Sequence, residues 1–98
     1  MKNIKLPDNL KGIEAEAFNG CETLSEITLP ASLEQIGMYT FDGCKQLKCI
    51  TCLRDTPLRG AAMGAGVFEN VDKIACELKV PKGHRNEYAE AEQWGDFT

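Results

Sequence analysis

Histidine is almost absent from this sequence, since His84 is the only one among 98 residues. A metal site built from several histidines is therefore excluded, and we interpret His84 as an exposed residue at a helix start rather than a catalytic base. Long apolar runs are absent too, and none approaches the 18 residues or so of a membrane-spanning helix. Lys and Arg number 11 against 15 Asp and Glu, and the net charge of −4 argues against a nucleic-acid partner.

The sequence instead contains an internal repeat. Residues 4–21 read IKLPDNLKGIEAEAFNGC and residues 27–44 read ITLPASLEQIGMYTFDGC, 23 positions later. The matched positions are nearly all apolar residues, glycine or proline, while the residues between them vary. Self-similarity at this period is typical of a solenoid, in which each coil buries its apolar side chains against the next. A chain of this length forms one domain, which we place at residues 1–98.

The repeat continues less regularly toward the end of the chain. A third copy begins at residue 50, but residues 53–67 carry an insertion and lack the Leu and Ile anchors. Asn70 then stands at the position of Gly20 and Gly43, and asparagine is the next best residue for left-handed backbone. We predict repeats at about 4–26 and 27–49, an expanded repeat at 50–77, and a closing strand and cap at 78–98.

Each part of a repeat predicts one local structure. Ile-x-Leu alternates with period two and predicts a short strand that ends at proline. Leu-x-x-Ile predicts the next side of the coil, as a short second strand, and Phe-x-Gly-Cys predicts a tight turn. Residues 83–97 contain helix formers followed by Gly95, which predicts a helix over the open end of the coil. We expect Trp94 and Phe97 to seal the core there.

These motifs carry a family resemblance. The recurring Ile-x-Leu-Pro-x-x-Leu-x-x-Ile and Ala-Phe-x-Gly-Cys-x-x-Leu pattern resembles the BspA-like leucine-rich repeat family, found in surface proteins of anaerobic gut and oral bacteria. Val80-Pro81-Lys82-Gly83 resembles the start of a C-terminal cap common among Bacteroides members. His84 departs from the small residue that such caps carry at the helix start, so we expect a poor helix cap.

The resemblance implies a fold, a location and a role. It implies a leucine-rich repeat solenoid, a right-handed coil of short parallel strands closed by a capping helix. It also implies secretion or surface display, adhesion or host-protein binding, and no particular ligand or cofactor. Because the first repeat has no visible capping segment, we expect the parent protein to carry further repeats and a leader upstream of Met1.

The cysteines are the sharpest alternative to a binding role. Cys49 and Cys52 form a C-x-x-C sequence that could indicate redox or zinc chemistry. On a strand, however, residues three apart face opposite sides, so we expect Cys52 inward and Cys49 outward. We expect Cys21 and Cys44 to stack as buried thiols and all five cysteines to be unpaired, while Cys76 has no evident role. Gly60, Gly64 and Gly66 lack the Lys-Ser/Thr pair of a phosphate loop and are interpreted as an insertion loop.

Two functional hypotheses remain, and neither involves an enzyme or a cofactor. The first is a protein-interaction module of an adhesin-like surface protein, with a possible interaction face on outward strand positions Lys5, Glu26, Thr28 and Thr51. Self-association through the open N-terminal end belongs to the same hypothesis. The second is a structural C-terminal cap of a longer solenoid that has no ligand of its own. Crowded carboxylates at Glu87, Glu90, Glu92 and Asp96 are interpreted as a solvated helix face.

Overall fold

The computed structural model describes residues 3–97, with side chains from Leu6 onward. The strands are β1 (Asn3–Lys5), β2 (Gly12–Ile13), β3 (Glu26–Leu29), β4 (Gln35–Ile36), β5 (Cys49–Cys52) and β6 (Glu77–Lys79). The helix α1 spans Arg85–Ala89, and two 3-10 turns span Gly60–Ala62 and Trp94–Asp96. Within the described range, no helix combines the length and the apolar character that crossing a membrane requires.

The strands form two parallel ladders that follow the repeat. The larger sheet has the order β1-β3-β5-β6, and the smaller sheet pairs β2 with β4. Ile4 lies opposite Ile27, and Ile27 lies opposite Ile50, so equivalent residues of successive repeats are stacked as predicted. The Leu-x-x-Ile corner forms the predicted second strand in the first two repeats. The fold is therefore a solenoid-like stack of short parallel strands.

A column of equivalent side chains fills the core. Phe18, Phe41 and Phe68 stack with ring centroids 5.6 and 5.8 Å apart and planes within 3° of parallel. These distances fall in the range of favourable offset stacking. Phe41 and Phe68 are buried, whereas Phe18, in the first repeat, is only partly buried. The repeat period thus carries the aromatic core from one coil to the next.

The turns of successive coils are joined through their backbones. The N–H of Phe41 donates to the carbonyl of Val67 at 2.9 Å. This close approach accounts for two glycines, because a Cβ on Gly37 would overlap the backbone of Ala15. Gly64 stands in the same relation to the backbone of the second repeat. Only glycine fits these corners without moving the coils apart.

Left-handed backbone recurs at equivalent turn positions. Gly20, Gly43 and Asn70 have φ values of 75°, 79° and 62°. Asparagine therefore replaces glycine at the predicted position and in the predicted conformation. A second left-handed position, for which the first two repeats carry no glycine or asparagine, occurs at Glu16 and Tyr39 with φ values of 62° and 53°.

The expanded third repeat keeps its apolar anchors, contrary to expectation. Leu58 is 5% exposed and Met63 is 8% exposed, so both belong to the core. Met63 also forms a parallel bridge with Ile36 in the repeat before it. A methionine side chain is flexible enough to replace isoleucine at this corner, which is why the periodic pattern concealed it. The 3-10 turn Gly60–Ala62 takes up part of the insertion between these two anchors.

The C-terminal segment does not form the single helix that its composition predicts. Helix α1 ends at Ala89, Gln93 has a φ of 71°, and a 3-10 turn follows at residues 94–96. His84 occupies the N-cap of α1 without a side-chain cap hydrogen bond, in agreement with the predicted poor cap. Its Nδ1 lies 2.6 Å from Glu87 Oε1 instead. Beyond the end of α1, Gln93 bonds to the backbone of Val67 and Gly64.

Candidate functional site

The main sheet aligns a row of outward-facing positions across its four strands. Backbone pairing places Lys5 beside Thr28, Thr28 beside Thr51, and Thr51 beside Lys79. Thr28 and Thr51 are half-buried, whereas Lys79 is exposed. The side chain of Lys5 lies outside the described residues. Short hydroxyl side chains therefore occupy the middle of the row and leave the strands accessible.

A second row runs along the same face. Glu26 pairs with Cys49, and Cys49 pairs with Glu77. Glu26 is exposed and lies two residues before Thr28 on β3, so the two side chains share one face of the sheet. The structure thus brings together the predicted residues Glu26, Thr28 and Thr51. Their part in binding remains a prediction.

The C-x-x-C sequence lies on β5, and its two thiols face opposite sides as predicted. Cys52 is 3% exposed and belongs to the core, while Cys49 is half-exposed. The Sγ of Cys49 lies 3.9 Å from the hydroxyl of Thr51 on the outer face. Two thiols on opposite faces of a strand cannot converge on one metal ion. Among the described residues, no group of three or more His, Cys, Asp or Glu side chains could hold a metal.

The buried thiols are held in their neutral form. Burial raises the pKa of Cys44 and of Cys76 to about 11, and that of Cys52 to about 12. The Sγ of Cys44 donates to the carbonyl of Phe18 at 3.1 Å. Cys21 is only half-buried, so the prediction of two buried stacked thiols is wrong for the first repeat. All five cysteines are free. A thiol with so high a pKa is a weak nucleophile at neutral pH.

The side-chain amide of Gln93 bonds to the backbone of the third repeat. Its Oε1 accepts from the N–H of Val67 at 2.9 Å, and its Nε2 donates to the carbonyl of Gly64 at 2.8 Å. In the second repeat, the equivalent carbonyl of Gly37 accepts from the hydroxyl of Thr40 at 2.6 Å. Val67 stands at the position of Thr40 and has no hydroxyl. Gln93 therefore supplies the donor that the third repeat lacks.

Two aromatic side chains of the same segment also bond to the third repeat. The hydroxyl of Tyr88 donates to the carbonyl of Arg54 at 2.8 Å. The Nε1 of Trp94 donates to the carbonyl of Leu58 at 3.0 Å. Both rings are buried, and buried tyrosine and tryptophan ordinarily find such a partner for their polar atom. These bonds hold the C-terminal segment against the coil.

Sequence reasoning identified the aromatic residues of this segment but missed Gln93. Trp94 and Phe97 both meet the ring of Phe68 edge-on, with centroids 5.2 and 4.9 Å apart. Gln93 lies among charged residues and has the sequence signature of solvated surface. The sequence points to Gln93 only indirectly. Valine replaces threonine at position 67, so the carbonyl of Gly64 lacks the hydroxyl donor that Thr40 gives to Gly37.

The comparisons with known proteins give one match. A family described as the BspA type leucine rich repeat region matches residues 1–87 in six copies. No curated protein and no solved structure was found to be similar. The matched residues include the strands β1 to β6 and the start of α1. The chain belongs to the BspA type leucine-rich repeat family.

Proposed function

We propose that this chain is a non-enzymatic protein-interaction module that meets its partner with the outward face of the main sheet. Repeats of this family suggest a protein-interaction role and are generally not enzymes. The observation that supports the proposal is the strand register, in which Thr28 pairs with Thr51 and Glu26 lies two residues before Thr28 on β3. Lys5 of β1 is the position that pairs with Thr28. Parallel strands hold these side chains at fixed spacings, so little conformational freedom is lost on binding.

A charge reversal on the face tests this proposal. The protein would be titrated against a panel of immobilised host extracellular-matrix proteins and bacterial surface proteins. For any partner bound, we expect Glu26→Arg to weaken binding roughly tenfold, as removal of an interface contact can do. Thr51→Arg should act in the same direction. Glu22→Arg, an exposed substitution in the turn before β3, is the matched control. Equal effects of Glu22→Arg and Glu26→Arg would contradict the proposal.

The setting we propose is a secreted or cell-surface protein with an adhesin-like role. Members of this family are typically surface or secreted proteins. Treatment of intact source cells with a protease tests the location. We expect the protein to be digested while cytoplasmic markers survive. Protection of the protein until the cells are lysed would contradict the assignment.

A structural role for residues 78–98 is the second candidate function. The bonds of Tyr88, Gln93 and Trp94 to the third repeat favour it, since solenoids need a terminal segment to cover the last coil. In this role Trp94 and Phe97 seal the core, and no ligand is contacted. Deletion of residues 82–98 should then cause aggregation, while the intact protein binds nothing in the panel. A soluble, cooperatively folded truncation would contradict the structural role.

The coil itself is proposed to be right-handed and to self-associate at its first strand. Parallel strands joined by crossovers almost always connect in a right-handed sense. Within residues 3–97, β1 pairs only with β3, so its other edge has no neighbour in the described sheet. An unpaired edge is a template for pairing with another chain. Sedimentation velocity over a range of concentrations tests this, and a single monomer species throughout would contradict it.

A further inference from the structure

The opposite edge of the main sheet, at β6, also has no neighbouring strand within residues 3–97. The N–H of Glu77 donates to the carbonyl of Lys48 at 2.8 Å, so the backbone groups of Glu77 point toward β5. Successive residues of a parallel strand direct these groups to opposite sides. The N–H and carbonyl groups of Leu78 and Val80 therefore point toward the open edge. They form a set of donors and acceptors suited to one more strand.

This edge borders a groove of about 590 Å³ between β6 and the C-terminal segment. That volume lies within the roughly 300–1,000 Å³ of ordinary ligand sites. The apolar part of its lining comes from both walls and includes Leu78, Val80, Tyr88, Trp94 and Phe97. A strand that paired with β6 would place alternate side chains against these residues.

The charged part of the groove lining is basic, although the chain as a whole carries a net charge of −4. Lys79, Lys82 and Arg85 line the groove, and Glu77 is the one carboxylate among the described lining residues. All three cations are exposed. Because the groove differs in sign from the rest of the chain, it selects a partner of negative charge.

We propose that the β6 edge and this groove bind an extended acidic peptide of a partner protein by strand addition. The peptide backbone pairs with Leu78 and Val80, which provides affinity without sequence preference. Apolar side chains of the peptide enter the groove, and its carboxylates face Lys82 and Arg85. This site meets the outward sheet face only at Glu77 and Lys79, because Lys82 and Arg85 lie beyond β6.

Fluorescence polarisation with labelled synthetic peptides tests the charge preference. The probe is a peptide of alternating valine and glutamate with glycine ends, and its counterpart carries lysine in place of glutamate. We expect the glutamate peptide to bind and the lysine peptide not to bind. The double variant Lys82→Glu/Arg85→Glu should weaken binding of the glutamate peptide roughly tenfold. Lys45→Glu/Arg59→Glu makes the same change of charge outside the groove and should leave binding unchanged.

Backbone pairing is tested separately with N-methylated peptides. In a strand, alternate amides of the peptide face β6, and the others face solvent. Methylation of one alternate set should abolish binding, while methylation of the other set should preserve it. A purely electrostatic contact would tolerate both sets equally. That result would overturn strand addition.

Two further outcomes would overturn the proposal. Equal binding of the glutamate and lysine peptides would remove the charge argument. Self-association that the glutamate peptide displaces would identify a second copy of this chain as the occupant of the edge. The Glu26→Arg variant separates the two sites. If it loses binding to the protein panel but still binds the glutamate peptide, the groove binds its peptide independently of the sheet face.

Discussion

At the scale of single residues, backbone conformation decides which side chains a coil accepts. Asn70 is the only departure from glycine at its turn position among the three repeats, and its φ of 62° matches theirs. Its Nδ2 also donates to Asp42 Oδ1 in the preceding repeat, at 2.8 Å. The residue therefore combines a conformational role with a contact between coils.

Substitution of Asn70 separates these two contributions. Asn70→Ala should lower the free energy of unfolding by about 1–2 kcal/mol, because alanine is strained at left-handed φ and cannot reach Asp42. Asn70→Gly should cost less, since glycine relieves the strain and loses only an exposed hydrogen bond. Urea denaturation of both variants measures the difference. Equal losses for the two variants would show that the conformation of this turn is not limiting.

The side-chain amide of Gln93 also stabilises the C-terminal segment. Gln93→Ala leaves the N–H of Val67 and the carbonyl of Gly64 without their side-chain partner. We expect a loss of about 1–3 kcal/mol in the free energy of unfolding, the usual cost of unsatisfied polar groups shielded from water. Glu92→Ala, at an exposed neighbour, is the control and should be nearly neutral. Similar melting curves for the two variants would refute the role assigned to the amide.

At the scale of elements, the close approach of neighbouring turns sets the spacing of the stack. Gly37→Ala should destabilise the protein by about 1–3 kcal/mol, because the added methyl group overlaps the backbone of Ala15 and forces two coils apart. Gly12→Ala is the matched control, since its Cβ would make ordinary contact with Gln35, at 3.8 Å from Cβ. Thermal melts of both variants measure the effect. A Gly37→Ala protein as stable as Gly12→Ala would contradict the close approach.

The strands and turns could be predicted from the sequence because their pattern is local and repeated. Isoleucine occupies the same repeat position at 27 and 50, which predicts the strand register, and the two residues are paired in the structure. Leu58 and Met63 could not be assigned the same way, because the insertion shifts their spacing and methionine masks the isoleucine position. Their placement depends on contacts with the second repeat, such as the parallel bridge between Met63 and Ile36.

The C-terminal segment shows where local propensity fails. Its composition favours one continuous helix, yet the helix ends at Ala89, and Gln93 and Trp94 bond to the third repeat. These are tertiary contacts between residues far apart in sequence, and the 23-residue repeat does not predict them. The candidate groove beside β6 was hidden for the same reason, since Arg85 and Leu78 line one surface only after the segment has turned back.

At the scale of the whole molecule, the core of the stack buries three of the five thiols. The side chains of Cys44, Cys52 and Cys76 are buried, whereas those of Cys21 and Cys49 are half-exposed. A disulfide reagent at neutral pH should therefore modify the two half-exposed thiols of the native protein first. The three buried thiols should react only on the timescale of unfolding. Five thiols reacting at one rate would contradict the core described above.

The same burial predicts an alkaline limit to stability. The pKa of Cys52 rises from 9.0 to about 12 on folding, and those of Cys44 and Cys76 rise to about 11. The stabilisation from neutral thiols is fully present below pH 9 and is lost as the pH rises through these folded values, because the unfolded chain ionises first. Each thiol lowers the free energy of unfolding by up to about 1.4 kcal/mol per pH unit in that window. Urea unfolding between about pH 8 and pH 10.5 should show a shallower decline for Cys52→Ala than for the unmodified protein. The control is Cys49→Ser, at a half-exposed thiol, and its free energy of unfolding should decline with pH as steeply as that of the unmodified protein. If the free energy of unfolding of Cys52→Ala declined just as steeply, a group other than Cys52 would limit stability in alkali.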